Sequence, residues 1–210
     1  MKVELVKGYS IDQKDVDCVI NSANGHLFLR TSGAGRIREI SETIGGEDRK
    51  EYNGLLAQLP EKTRNWYEGI FEKEGYEYTQ AQLSCLRLLV ENGRAFELGD
   101  AVLDTNWSKS DPRAIIHAVG MSYSLGKEKV HRKRASVDSV GIALGKSFYI
   151  AREQGYESVA VPIMCSRKGY GLTPEKSHEI LSDLLIHVED SLNRVVICAD
   201  NEETARLVKK

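Results

Sequence analysis

The sequence predicts an α/β fold, a layered sandwich of helices around a mixed sheet. Short β-branched runs at residues 16–20, 114–119, 158–164 and 194–199 are apolar without alternation, as strands covered on both faces are. Between them stand segments whose apolar residues recur at helical spacing. The longest is residues 137–153, where Val140, Ala143, Leu144, Ser147, Phe148 and Ala151 fall near one face. Strands alternating with helices fold as layers around a sheet. The chain has 210 residues, enough for one domain with a full core, and shows no repeat or linker. One domain over residues 1–210 is expected, with a helical insertion at about residues 47–97.

A first strand is predicted at residues 3–6, where apolar and charged residues alternate, followed by a polar, turn-like stretch at 8–15. The next strand, at 18–20, leads into a small-polar turn at 21–24 and a small-residue loop at 31–35. That loop opens a helix read from 33 to 44 on the spacing of Ile37, Ile40 and Ile44, stopped by Gly45-Gly46. The stretch 47–97 is charge-rich, with helical patterns at 52–59, 62–73 and 79–90 punctuated by Pro60, Gly75 and Asn92-Gly93. Its aromatic residues Trp66, Tyr67, Phe71, Tyr76 and Tyr78 read as a helical hairpin docked on the domain, with a binding face as the sharper alternative. Strands resume at 101–105 and 114–119, and the strand at 158–164 runs into a second small-residue loop, CSRKGYGL, at 165–172. Thr173 has the chemistry of a helix N-cap and Pro174 suits the first helical position, ahead of a helix at 176–189. A last strand at 194–199 and a short helix at 201–208 close the chain.

Composition narrows the function classes. A formal net charge of −2 gives no general attraction to nucleic acid or an anionic membrane. The basic run KEKVHRKR at 127–134 reads as solvated surface, with nucleic-acid contact as the alternative. No apolar run spans a bilayer, and MKVELVKG lacks a signal-peptide apolar region, so a cytoplasmic protein without membrane contact is expected. Cys18, Cys85, Cys165 and Cys198 are scattered without a CxxC pair and read as free thiols. Neither a metal nor a cofactor is expected.

The stretch CVINSANGHLFLRTSGAGRI at 18–37 organises the rest. A strand feeding a small-residue loop at a helix N-terminus makes an anion site: its N–H groups lack intrahelical partners, and the helix dipole favours negative charge. The loop at 165–171 follows a second buried strand, and in open α/β sheets ligands sit beyond the carboxyl ends of strands. Two such loops can clasp the two sides of a diphosphate. Taken alone, Gly33 and Gly35 equally suit a tight turn.

Residues 16–24 (VDCVINSAN) resemble the VDAIVNAAN motif of the macrodomains, a family that binds ADP-ribose. Residues 30–37 (RTSGAGRI) resemble its glycine loop GGGVAGAI, and residues 115–121 (IIHAVGM) its VIHAVGP strand. Residues 143–162 are similar to the helix and strand before its second loop, and residues 163–172 to that loop, so the likeness covers most of the chain outside the insertion. The resemblance implies a three-layer α/β/α sandwich around a mixed, mostly parallel sheet. It implies ADP-ribose, a related nucleotide diphosphate or an ADP-ribosylated protein as partner. It assigns Asn24 to the distal ribose hydroxyls, for which a carboxamide both donates and accepts. It assigns Ser32, Gly33, Ala34 and Gly35 to one phosphate, and Ser166, Arg167, Lys168, Gly169, Tyr170 and Gly171 to the other side. Ser10, Ile11 and Asp12 fall on the adenine side, and Asn21 is expected to brace the loop. If the chain is an enzyme, the resemblance implies an ADP-ribosyl hydrolase or an ADP-ribose 1″-phosphate phosphatase, with Asn24 as the catalytic candidate.

The chain also departs from the family pattern. Gly8-Tyr9-Ser10-Ile11 replaces GDI, leaving Asp12 as the nearby acid. Arg30-Thr31-Ser32 stands where three glycines are usual, and Asp200-Asn201 follows the last strand with no aromatic. The aspartate of family hydrolases is Ala34 here, which cannot act as a general base. Cys165 beside Arg167 and Lys168 is in a setting that lowers a thiol pKa. His26 is read as the better cleft histidine and His117 as a structural one. Two other readings stand beside the first: a nucleic-acid-binding module, and a degenerate macrodomain whose helical insertion is an interaction surface.

Overall fold

A computed structural model describes all residues except 31, 112, 126–129, 168, 189 and 208–210. Strand β1 (Lys2–Lys7) leads through a 3-10 turn (Ser10–Asp12) into β2 (Cys18–Asn24) and α1 (Ser32–Ile40). Helices α2 (Gly46–Gln58), α3 (Glu61–Glu74) and α4 (Gln80–Asn92) follow, then β3 (Ala101–Asp104), β4 (Ala114–Leu125) and β5 (Val130–Lys133). The remainder alternates: α5 (Val137–Glu153), β6 (Ser158–Pro162), α6 (Pro174–His187), β7 (Arg194–Ala199) and α7 (Glu202–Leu207). The sheet order is β1-β7-β6-β2-β4-β3, with β5 paired to β4. Every neighbouring pair from β1 to β4 is parallel, while β3 and β5 run antiparallel to β4.

Alternation along the strands divides the core in two. Val19 and Ala23 of β2, with Ile115 and Val119 of β4, join one cluster with Ile37, Tyr52, Tyr67, Phe71 and Leu86 of α1 to α4. Cys18, Ile20, Ala114, Ile116 and Ala118 face the other way, against Val140, Phe148, Leu181 and Leu185 of α5 and α6. The mixed, mostly parallel sheet is therefore covered on both faces, as its unbroken apolar strands require. The expected caps form: Thr173 Oγ1 accepts the Lys176 N–H at 3.2 Å, and Gly75 and Gly93 end α3 and α4 at φ 63° and 71°.

Four local expectations change. Residues 21–24 continue β2 rather than turning, in register with β4. Polar Asn21 is tolerated in a buried strand because its Nδ2 donates to His117 Nδ1 at 3.0 Å. Helix α1 stops at Ile40, short of Ile44. There Ser41 Oγ donates to the Trp107 carbonyl (3.0 Å) and accepts the Ala81 N–H (2.9 Å), while the Ile44 N–H reaches the Tyr78 carbonyl (2.9 Å). The bond to Tyr78 takes the Ile44 N–H that another helical turn would send to the Ile40 carbonyl, and the Ser41 bonds fix the chain where it leaves the helix. Helix α6 begins at Pro174, as the Thr173 cap and the proline indicate, but ends at His187, short of residue 189. Finally, part of the basic run forms β5, a strand whose ladder partner is the extended end of β4. Residues 127–129 of that run lie outside the described residues.

The aromatic residues of α3 dock as expected. Tyr67 and Phe71 are buried, and the Phe28 ring meets Trp66, Tyr67 and Phe71 at 5.3, 4.8 and 5.7 Å. Among the described residues, no helix is long and apolar enough to cross a membrane.

Candidate functional site

A cleft of about 230 Å³ opens at the carboxyl ends of the parallel strands. Residues just after β1, the last residues of β2 and β7, the loop after β6 and the far half of β4 all line it. Four successive strands, β7, β6, β2 and β4, lie along it, so with neighbours about 4.8 Å apart it crosses about 14 Å of sheet edge. The N-terminus of α1 faces it through Ser32, Gly33 and Ala34.

Asn24 lines the cleft, but its carboxamide is already at work. Nδ2 donates to the Phe28 carbonyl at 2.9 Å, and Oδ1 accepts the N–H groups of His26 (3.1 Å) and Phe28 (3.4 Å). Asn24, not Asn21, therefore braces the loop, and one N–H of Nδ2 remains for a ligand. Ser32 sits at φ 58°, and its buried Oγ has no hydrogen-bond partner among the described residues. Gly33 leaves the helix end open: a Cβ there would meet only the Tyr9 ring, at 4.0 Å. Gly35 does not line the cleft. A Cβ there would lie 2.9 Å from the Arg30 carbonyl oxygen, so this glycine serves close chain approach rather than phosphate. Thr31 lies outside the described residues.

On the opposite side, Ser166, Arg167 and Tyr170 line the cleft, whereas Gly169 and Gly171 do not. Gly171, at φ 127°, is pressed against Ala135, whose carbonyl oxygen would lie 2.3 Å from an added Cβ. Lys168 lies outside the described residues. Arg167 turns to Asp200, its Nε and Nη2 donating to Oδ2 at 2.9 and 2.7 Å. Arg30 pairs likewise with Glu74 at 2.6 Å.

At the β1 and β7 end only one of the three expected residues reaches the cleft. Ser10 lines it while donating to the Ile20 carbonyl at 3.1 Å; Ile11 is in the core; and Asp12 is drawn away by Arg36 at 3.1 Å. Tyr9 and Asp200 stand there instead. At the opposite end, Tyr123 and Arg132 line the cleft, and they face each other across the β4–β5 ladder. Sequence reasoning missed all four. Tyr9, next to Gly8 at the end of the first strand, carried a readable signal; the others depend on chain segments meeting from afar.

Several chemical expectations are corrected. Burial pushes the Cys165 thiol up to about 11, only partly offset by the Ser22 hydroxyl 3.8 Å away, so it is not an activated nucleophile. His26 lies behind the cleft wall rather than in it, 5 % exposed, and its Nε2 proton goes to the Tyr123 carbonyl at 3.1 Å. Burial lowers its pKa and favours the neutral ring. His117 is structural, as read: Asn21 donates to its Nδ1, which leaves the Nε2 proton facing Asp104 Oδ2 at 3.3 Å. Among the described lining residues the only carboxylate is Asp200, held by Arg167.

No protein-family model and no curated protein sequence matches the chain. Solved structures do. The macrodomain of Oceanobacillus iheyensis with ADP superposes at TM-score 0.61 and 16 % identity, over 99 % of this chain and 87 % of that one. The Trypanosoma brucei macrodomain matches over 99 % of this chain at 13 % identity in two complexes. With ADP the TM-score is 0.64 over 68 % of that chain, and with ADP-ribose it is 0.62 over 67 %. At such identities the likeness is one of architecture, and the architecture of this chain is the macrodomain fold.

Proposed function

We propose that the chain binds ADP-ribose, or a closely related nucleotide diphosphate, along this cleft. The carrying observation is the cleft itself. It crosses the ends of β7, β6, β2 and β4 with the α1 N-terminus on one side and the loop after β6 on the other. A diphosphate at the α1 N-terminus meets N–H groups that have no helical partner and a favourable dipole, and Ser32 Oγ gains the partner it lacks. Arg30 and Arg167 line the same space and, each already paired with a carboxylate, offer guanidinium donors rather than net charge. Adenine then falls at the β1 and β7 end, beside the Tyr9 ring and the Asp200 carboxylate. The distal ribose falls at the end of β2, within reach of the remaining Asn24 N–H. Macrodomains of the same fold held ADP or ADP-ribose in their crystals, which supports this reading.

The lining favours recognition over hydrolysis. Ala34 offers no base, Asp200 is engaged by Arg167, and a positioned general base is worth about 10²–10⁴-fold. Cleavage of an ADP-ribosyl ester here would rest on a water held by the substrate's own phosphate, and would be slow.

Calorimetric titration with ADP-ribose, against ATP and ribose 5-phosphate, tests the proposal. Selective binding of ADP-ribose, weakened in Asn24→Ala and Ser32→Ala, is expected. Absence of heat and of thermal stabilisation at high ligand excess would overturn it. That result would turn attention to α2 to α4 as a protein-binding surface.

A further inference from the structure

We infer that the β4 end of the cleft is a nucleobase subsite, so that the ligand is ADP-ribose joined through its distal ribose to a base of a nucleic acid. The inference rests on the ADP-ribose reading above. If adenine lies at the β7 end, whatever the distal ribose is attached to lies toward β4, where the cleft wall changes character. Tyr123, half-buried, lines it there, and β-pairing sets Arg132 directly opposite on β5.

Both side chains suit a nucleotide. The Tyr123 ring is braced by Trp66, which does not line the cleft, at 5.4 Å between centroids. Trp66 is itself held by His26, Phe28 and Tyr67 at 5.2, 5.3 and 5.7 Å. A ring backed in this way loses little freedom when another ring stacks on it. Arg30 and Arg167 are neutralised by carboxylates, but Arg132 has no carboxylate partner among the described residues. Its guanidinium stands 5.0 Å from the Tyr170 ring centroid and donates to the Gly169 carbonyl at 3.3 Å. An aromatic plane beside a guanidinium with no carboxylate partner among the described residues matches a stacked base and its phosphate. A modified serine, arginine or glutamate side chain has no ring to give Tyr123. A formal net charge of −2 gives the chain as a whole no general attraction for nucleic acid, which leaves attraction to this local patch and makes binding dependent on the linked ADP-ribose.

Diadenosine diphosphate is the direct probe, because it is ADP-ribose with a neutral base on the distal ribose. Titrated beside ADP-ribose, it is expected to bind roughly tenfold tighter, the usual gain from stacking one base on an aromatic side chain. Tyr123→Ala is expected to bring the ratio of the two affinities near one, and Tyr123→Phe to keep it. With a short DNA strand ADP-ribosylated on a base, Arg132→Ala should remove part of the affinity and flatten its salt dependence. If ADP-ribose binds and diadenosine diphosphate binds no better, the base subsite is refuted and a peptide acceptor follows. If neither binds, the ADP-ribose reading falls as well. The wild-type ratio decides the matter even where a variant fails to fold.

Discussion

The two loops that flank the cleft are held in different ways. The loop after β2 is anchored into the helical layer. Asn24 bonds Phe28, the Tyr67 hydroxyl donates to the His26 carbonyl, and Arg38 Nη1 donates to the carbonyls of Leu29 (2.7 Å) and Arg30 (3.3 Å). Phe28 is 2 % exposed among the rings of α3. The loop after β6 leaves the core at Ile163, Met164 and Cys165, and its outer part is held by the partly exposed Arg167–Asp200 pair and by contacts with β5 and Ala135. One side of the cleft is thus a product of the core. The other, beyond Cys165, depends on surface electrostatics and one tight backbone approach, and that outer part is the side better able to adjust to a ligand.

The largest test of this contrast is Phe28→Ala. It opens a cavity under the first loop and is expected to cost about 3–5 kcal/mol, read by urea denaturation, and to weaken ADP-ribose binding along with stability. Gly171→Ala should act on the other side. The added Cβ meets the Ala135 carbonyl, and φ 127° disfavours any side chain, so a loss of roughly 1–3 kcal/mol is expected. Equal effects on binding from Gly171→Ala and Phe28→Ala at matched stability would erase the distinction between the loops.

The smallest effect is at the far end of α1, where Glu42 ties the helix layer to residues 108–110. Burial opposes its ionisation, but the Ser110 and Ser108 hydroxyls and the Lys109 N–H outweigh this and hold the carboxyl at about 2. A carboxyl whose pKa is lower folded than unfolded stabilises fully above the unfolded value, ordinarily 4.5 here, and loses that contribution as pH falls toward 2. Glu42→Gln should therefore lower stability at neutral pH and flatten its decline over that acid range. An unchanged slope in pH-dependent denaturation would show that other carboxyls dominate.

Much of the fold could be read from the chain because its signals are local. The helices at 137–153 and in the stretch 47–97, the strand at 194–199, the Thr173 cap and the stops at Gly75 and Gly93 all follow from spacing and backbone preference. The candidate site was legible at Ser32, Gly33, Ala34, Ser166, Arg167 and Tyr170, small or polar residues after apolar strands. It was misread where a residue's role depends on a distant partner. Asp12 reads as a cleft acid from its position near Gly8, but Arg36 holds it away; the cations beside Cys165 are visible in the sequence, whereas the burial that raises its pKa is not.

The sequence was sufficient for the strand–helix alternation and the two small-residue loops, since hydrophobic periodicity and glycine chemistry act within a few residues of chain. Only tertiary structure decided what the cleft contains at its two ends. Tyr9 and Asp200 meet because β1 pairs with β7, and Tyr123 and Arg132 meet because β5 folds back on β4. Such contacts are set by strand pairing between segments far apart in the sequence, and nothing in the local pattern of a basic run announces that it will become a wall of the site.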